Sequence, residues 1–277
     1  VVVNQDGIPY GYEFLPGQDI PKRLKRSLKG KLNFDCFAVL DCSDLSRTGE
    51  VYKLNAGHKP ILNIDHHISN QKFGQVNWIA PKASCCCEMI YQLYKKMRIG
   101  LDRQSALFLY VGLLTDTGSF RYSNTTSFTH QAVCELLKHQ LNVAQIYKNI
   151  YKNIPFHDIR LLARILPGVR LEARGKIAWV QIRRHMLRNK KLAFDLSEEI
   201  LSFVRSIKDV EVCILFKENL SLKDEIRINF RSQGKVDVNR IASFFGGGGH
   251  KTASGATIHG RLDTVRKRVL AKIKESL

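Results

Sequence analysis

The sequence predicts an α/β protein of two domains, and two patterns carry that prediction. Over residues 1 to about 150, short apolar runs of strand character alternate with longer helical ones, the signature of a parallel sheet with covering helices. Beyond residue 168, strand-like runs mix with helical segments in a way that fits a smaller mixed α/β domain. With 277 residues the chain has room for two cores. The expected division is 1–150, a helical connector over 151–168, and 169–277, with a cleft between the two domains.

Taken in order, residues 1–4 read as a strand, and 36–40 as another that delivers Asp41 at its end. Ile61, Leu62 and Ile64 close a buried parallel strand that delivers Asp65, His66 and His67. Helices are expected over 83–97, 104–114 and 127–138. In the connector, Phe156, Ile159, Leu162, Ala163 and Leu166 give one apolar face, bounded by prolines. Strands follow at 169–173, 176–182, 210–216, 225–230 and 253–259, with helices at 196–206, 238–245 and 262–276.

The strand ends carry the chemistry. In open α/β sheets, ligand sites gather at the carboxyl ends of parallel strands, which is where Asp41 and the Asp65-His66-His67 triplet fall. Imidazole and carboxylate suit manganese, zinc or iron, and a neighbouring carboxylate can hold a histidine in one tautomer. The apolar run 106–114 ends in Thr115-Asp116-Thr117-Gly118, which brings a third carboxylate to the exit of a buried element. Alone, the triplet reads equally as surface or capping residues, and the Asp116 segment as a polar turn closing a core helix. Together, Asp41, His66 and Asp116 offer one metal ligand from each of three segments. Asp44 and Arg47, just beyond Asp41, read as a cap or a loop ion pair, and the six histidines outside the motif and the glycine run as surface groups.

Downstream, Phe244-Phe245-Gly246-Gly247-Gly248-Gly249-His250 places four glycines between aromatic residues and a strand. Such a run lets backbone approach a ligand closely and aim amides at an anion, with His250 and Lys251 adding donors. It lacks the ending of a Walker loop and the spacing of a Rossmann fingerprint, and its plain alternative is a flexible linker.

The Asp65-His66-His67 triplet, the Asp41 strand end, the Thr115-Asp116-Thr117-Gly118 turn and the glycine-histidine loop, in this order, resemble the DHH phosphoesterase superfamily with its DHH-associated C-terminal domain. Phe14-Leu15-Pro16-Gly17 and Gly118-Ser119-Phe120-Arg121-Tyr122 fit as well, so the resemblance runs nearly end to end. Within the superfamily the chain is most similar to short bacterial enzymes acting as oligoribonuclease and 3′-phosphoadenosine 5′-phosphate phosphatase. The resemblance implies two manganese ions (Mn2+) sharing Asp41, with His66 and Asp116 as further ligands and a metal-activated water attacking phosphorus in line. It gives Asp65 the role of orienting a histidine, and sets His67 facing the scissile phosphate. Arg231, Ser232, Gly247, Gly248, Gly249 and His250 take the substrate-binding positions, although Arg231 on its own reads as a solvated strand-end cation.

One departure from the family stands out. Its opening strand and His-containing Asp-x-Asp motif have no counterpart here, and residues 1–4 look like the second strand of such a domain. The expectation is a fragment that starts after the first strand and helix, or alternatively a natural variant that has lost part of the site. Either expectation gives weak metal binding and doubtful activity for these 277 residues.

Composition agrees with an anionic substrate. With 44 Lys plus Arg against 25 Asp plus Glu, the formal charge is +19, a field that attracts nucleotides or RNA. Clusters such as Lys22, Arg23, Lys25, Arg26 and Arg183, Arg184, Arg188, Lys190, Lys191 read by default as solvated faces. Seven cysteines, Cys85-Cys86-Cys87 among them, form no Cys-x-x-Cys pair, so reduced thiols in a cytoplasmic protein are expected, with Cys36 and Cys213 buried. No membrane association is expected, and a homodimer is what the resemblance implies. Hydrolysis of cyclic dinucleotides or their linear products is an alternative activity. A degenerate nucleotide- or RNA-binding protein without catalysis is the alternative of another class.

Overall fold

A computed structural model describes residues 2–17, 21–24, 32–187 and 196–277. The chain separates into two compact units, Val1–Asn153 and Ile154–Leu277. Among the basic clusters, Lys25, Arg26, Arg188, Lys190 and Lys191 lie outside the described residues.

In the first unit, β3 (Phe37–Leu40), β4 (Ile61–Asp65) and β5 (Val76–Ile79) form a parallel sheet in the order β3-β4-β5. Its two ladders continue one step past the strand ends, with the Asp41 amide donating to Ile64 O at 3.0 Å and Ala80 to Asp65 O at 2.9 Å. The carboxyl end of β4 is thereby tied on both sides. β5 had no clear signal in the sequence, its half-exposed Val76-Asn77-Trp78-Ile79 being too short to stand out. The opening strand β1 (Val2–Asn4) pairs in parallel with β2 (Pro21–Arg23) in a sheet of its own, separate from β3-β4-β5.

Three helices build most of this unit's core. Helix α1 (Cys86–Met97) begins where Cys85 Sγ accepts from the Glu88 amide, and ends at Arg98 in the left-handed region. Helix α2 (Arg103–Asp116) is capped by Asp102, and α3 (Ser127–Leu137) by a reciprocal Thr126–Thr129 capping box. Leu109, Tyr110, Leu113, Ala132 and Leu136 pack these helices together, while Ile64 meets Met89 and joins α1 to the sheet. A short α4 (Val143–Tyr147) precedes the second unit.

The second unit opens with α5 (Phe156–Ile165), whose Leu161, Leu162 and Ile165 are buried in its core. Its sheet runs β10 (Gly248–His250), β11 (Ala253–His259), β9 (Glu225–Ser232), β8 (Val212–Glu218), β7 (Ile177–Ile182), β6 (Arg170–Glu172). All neighbours are antiparallel except β7 and β8, which α6 (Ser197–Arg205) connects as a crossover. Strict alternation along β8 and β9 divides the core in two. Val212, Ile214, Phe216, Ile228 and Phe230 face α7 (Val238–Phe244) and α8 (Leu262–Lys274), whereas Cys213, Leu215, Ala178 and Val180 face α5 and α6.

Half of the glycine run is strand, not open loop. Gly248 pairs with Gly255, Gly249 with Ser254 and His250 with Ala253. A Cβ on Gly247 would run into the Gly255 carbonyl oxygen, and one on Gly249 into that of Ala253. The glycines therefore serve close backbone packing as well as ligand approach. All seven cysteines are free thiols, and Cys213 is buried as expected, but Cys36 is exposed because it precedes the first residue of β3.

The close approach at β10 gives a stability prediction. Gly247→Ala should cost about 1–3 kcal/mol, the range for overpacked sites, measured by urea denaturation followed by tryptophan fluorescence.

Candidate functional site

His66 stands at the centre of the first unit's polar cluster, 2% exposed at the end of β4. Its Nδ1 lies 3.3 Å from the Ala83 carbonyl oxygen. A carbonyl only accepts, so Nδ1 carries the proton and Nε2 is the atom presented to the site. Two carboxylates face that nitrogen, Asp41 Oδ1 at 3.4 Å and Asp116 Oδ2 at 3.3 Å. Two of the three sequence-predicted ligands, Asp41 and Asp116, thus each lie beside the third, His66.

Each carboxylate is positioned by local backbone chemistry. Asp41 follows β3 with φ of 58°, a left-handed conformation that aspartate tolerates better than most residues. Asp116 is the last residue of α2, where Thr117, fully buried, donates its hydroxyl to Leu113 O at 2.6 Å and accepts from the Phe120 amide at 3.0 Å. Gly118, Ser119 and Phe120 then all have positive φ, a tight reversal that costs strain and holds the helix end in place. Asn124 clamps it further, donating to Asp116 O at 3.1 Å and to Ser84 O at 2.8 Å.

Asp65 serves the second histidine. It is fully buried, takes His67 Nδ1 at 2.6 Å on one oxygen and Asn70 Nδ2 at 2.6 Å on the other. Those bonds outweigh the burial that opposes ionisation and hold its carboxyl down to about 2. Ionised, it can only accept, so His67 keeps its proton on Nδ1 and its basic lone pair on Nε2. Asn70 also donates to Asn63 Oδ1 at 2.9 Å and Cys42 O at 3.0 Å, which ties the loop after the triplet back to the strand ends.

Electrostatics at His66 are those of a site built for positive charge. Burial works against its protonation, yet the Asp41 hydrogen bond and the charges of Asp116 and Asp41 lift it to about 9. Burial pushes Asp116 up to about 6, Asp41 adding to the effect while the two histidines oppose it. Asp41 itself is lowered, burial being overcome by the His66 hydrogen bond and the charges of both histidines. Asp116 Oδ2 is buried and accepts no hydrogen bond. Such an orphaned oxygen beside an imidazole nitrogen is what a cation would satisfy.

The donor set fits a divalent ion. Two ligands about 2.1 Å from an ion at a tetrahedral angle lie about 3.4 Å apart, close to the His66–carboxylate separations found here. Asp41, Asp65 and His67 also bring one donor atom each within 4.8 Å of one another. Cys86, whose Sγ lies 3.5 Å from Ile64 O beside Asp41, has its thiol pushed up by burial and by Asp41, and so stays protonated and out of the ligand set.

In the second unit, register places the remaining sequence-predicted residues. His250 opposes Ala253, Ala253 opposes Arg231, and Arg231 opposes Cys213, so His250 and Arg231 share the α5–α6 face about 10 Å apart across β11. Gly248, Gly255 and Asn229 form the next row on that face. Small residues there leave backbone accessible between a histidine and an arginine. Arg231 donates to Phe230 O at 2.8 Å and is ion-paired with Glu198 at the start of α6. Ser232 is fully buried, donating to Val236 O at 2.7 Å and accepting from the Gly234 amide at 2.9 Å, so its hydroxyl holds the turn after β9.

Sequence reasoning missed several supporting residues. Asn70 and Asn124 lie in polar loops with nothing to single them out, and the Ala83 carbonyl has no side-chain signature at all. Buried Glu88 accepts from Ser84 Oγ at 2.5 Å and Thr129 Oγ1 at 2.8 Å, fixing the loop that carries Ala83. A Glu three residues past the α1 N-cap is a legible helix-start signal, but not of this role. Asp44 caps the turn after β3 by accepting from the Ser46 amide at 3.0 Å, the capping role expected of it.

Two outcomes are expected. In metal-free protein, His66 should titrate near pH 9 by NMR and move toward 6.5 in Asp116→Asn; a value near 6.5 in the unmodified chain would contradict the carboxylate pairing. Because its folded pKa is raised, its stabilisation is complete below about 6.5 and is lost as pH rises through about 9. Asn70→Ala, which strips a charged, buried Asp65 of a donor, should lower stability by about 1.5–3 kcal/mol in denaturant titration.

Residues 9–113 match the DHH family, N-terminal domain, and residues 184–275 match the DHHA1 domain. The chain is 28% identical over 218 residues to the bifunctional oligoribonuclease and PAP phosphatase NrnA of Thermus thermophilus, covering 78% of this chain and 64% of that protein. It is 30% identical over 202 residues to NrnA of Bacillus subtilis, covering 72% and 63%. The chain thus spans under two thirds of the length of these curated relatives. A crystal structure of an exopolyphosphatase-related protein from Bacteroides fragilis is 25% identical, with a TM-score of 0.84 over 99% of this chain and 83% of that one. The chain is therefore a DHH family protein, a DHH N-terminal domain followed by a DHHA1 domain.

Proposed function

We propose that this chain carries out metal-dependent phosphoester hydrolysis, releasing mononucleotides from very short RNA and removing a phosphate from 3′-phosphoadenosine 5′-phosphate. The observation that carries the reading is His66, its tautomer set by Ala83 O and its Nε2 facing Asp41 and Asp116. The names of the Thermus and Bacillus relatives supply the substrate class.

Asp41, His66 and Asp116 are the residues that would hold the metal; oxygen and imidazole donors suit manganese, zinc or iron, and the family resemblance favours manganese. Bound there, the ion would activate water and offset charge on the reacting phosphate. Asp65 fixes the orientation of His67 through Nδ1, and contact with a phosphate oxygen, which only accepts, would be made by the imidazolium form through Nε2–H. Asn70, which also donates to Asn63 Oδ1, holds Asp65 for that task. In the second unit, His250, Arg231 and the Gly248–Gly255 row offer cationic donors and open backbone to the rest of a nucleotide.

The test is release of mononucleotide from a synthetic RNA dinucleotide, with manganese and with chelator. Activity should require manganese, vanish in His66→Ala and Asp41→Asn, and fall about 10–100-fold in Asn70→Ala, the usual cost of losing a group that orients the metal-site residues. Tight nucleotide binding without any hydrolysis would instead identify a binding protein. Cleavage of a linear product of a cyclic dinucleotide in preference to other dinucleotides would move the substrate assignment.

A further inference from the structure

The layer of the second unit opposite His250 and Arg231 bears a feature that the phosphoesterase reading does not use, an aromatic pair of which Phe245 packs against the core and Phe244 does not. Phe244, the last residue of α7, is 64% exposed, an unusual position for a large aromatic side chain. Its ring stands at 89° to that of Phe245 with centroids 5.0 Å apart. Lys272 Nζ lies 4.6 Å from the Phe244 centroid, and the Arg268 guanidinium 5.9 Å from that of Phe245.

Charge around the pair is one-sided. From Arg261 to Glu275 there are six Lys or Arg against Asp263 and Glu275. Arg266 is engaged by Asp263 at 2.9 Å and by the Trp179 ring, Lys272 by Glu275 at 2.7 Å, and Lys274 by Glu172 at 2.6 Å. Lys267 and Arg268 have no carboxylate partner among the described residues. Arg268 and Lys272 sit four residues apart on one face of α8, a like-charge spacing that Glu275 offsets at Lys272 and that a bound anion would relieve at Arg268.

We propose that Phe244, Phe245, Arg268 and Lys272 form a platform for single-stranded RNA, a base stacking on Phe244 while Arg268, and Lys272 in exchange for Glu275, take the flanking phosphates. Exposed aromatic rings interleaved with cations are the general means of holding single strands without reading their sequence. A second copy of this chain fits less well, because two such faces would bring like charges together. The choice of RNA rests on the phosphoesterase reading; the platform lies on a different face of the sheet and needs no metal.

The test is fluorescence anisotropy of a labelled short oligoadenylate with the full chain in EDTA, where hydrolysis plays no part. Phe244→Ala and Phe244→Leu should each weaken binding by about tenfold, Phe244→Tyr should retain it, and Lys272→Gln should reduce the salt slope by about one. Thermal melting establishes that each variant is folded. Binding equal to the unmodified chain in all folded variants would overturn the platform, as would a change of molecular mass in Phe244→Ala with RNA affinity unaltered, which marks a self-association face. Absence of dinucleotide hydrolysis alongside Phe244-dependent RNA binding would remove the phosphoesterase reading alone.

Discussion

The hydrogen bond from His66 Nδ1 to the Ala83 carbonyl is the constraint on which the first unit's chemistry depends. A neutral imidazole has one donor and one acceptor, and the acceptor must face the two carboxylates for a cation to be held there. Reversing the tautomer would bury a lone pair against a carbonyl oxygen. The loop that offers Ala83 O is anchored by Asn124 on the neighbouring Ser84 and by Glu88, which receives hydroxyls from Ser84 and from Thr129 of α3. Strand, two helices and two loops therefore share one small network.

The second unit meets a different demand. Under the proposed function a nucleotide would need polar donors and an approach unobstructed by side chains, and antiparallel register brings candidates for both together. Placing His250, Ala253 and Arg231 in one row and Gly248, Gly255 and Asn229 in the next makes a shallow strip with polar ends. The glycines that open it are also the ones that backbone packing at β10 requires, so one compositional feature answers two physical needs.

Much of this was legible in the sequence, for identifiable reasons. The apolar runs before Asp41 and Asp65 are continuous, as buried parallel strands require, and they end where polar residues begin, so strands and strand-end carboxylates could be read together. Alternation along residues 225–230 and the helical periods after 196 and 262 were equally plain. The strand within the glycine run was not, since glycine has low strand propensity and only pairing with β11 makes it extended. Exposure of Cys36 escaped because an apolar neighbourhood does not say which residue begins the strand. Asn70, Asn124 and the Ala83 carbonyl act through contacts between segments far apart in the chain, which no local pattern encodes.

The lengths of the outer strands of the six-stranded sheet have a consequence for behaviour in solution. β6 and β10 are three residues each, while the apolar, β-prone segment of β8, Val212-Cys213-Ile214-Leu215-Phe216, is paired on both sides in the middle. A foreign strand that docked on either margin would find few unpaired amides and carbonyls to add to, and the segment best suited to a steric zipper is the one least accessible. Fibril formation by this protein should then follow the population of unfolded chains, and remain slow at concentrations where the folded form is merely crowded.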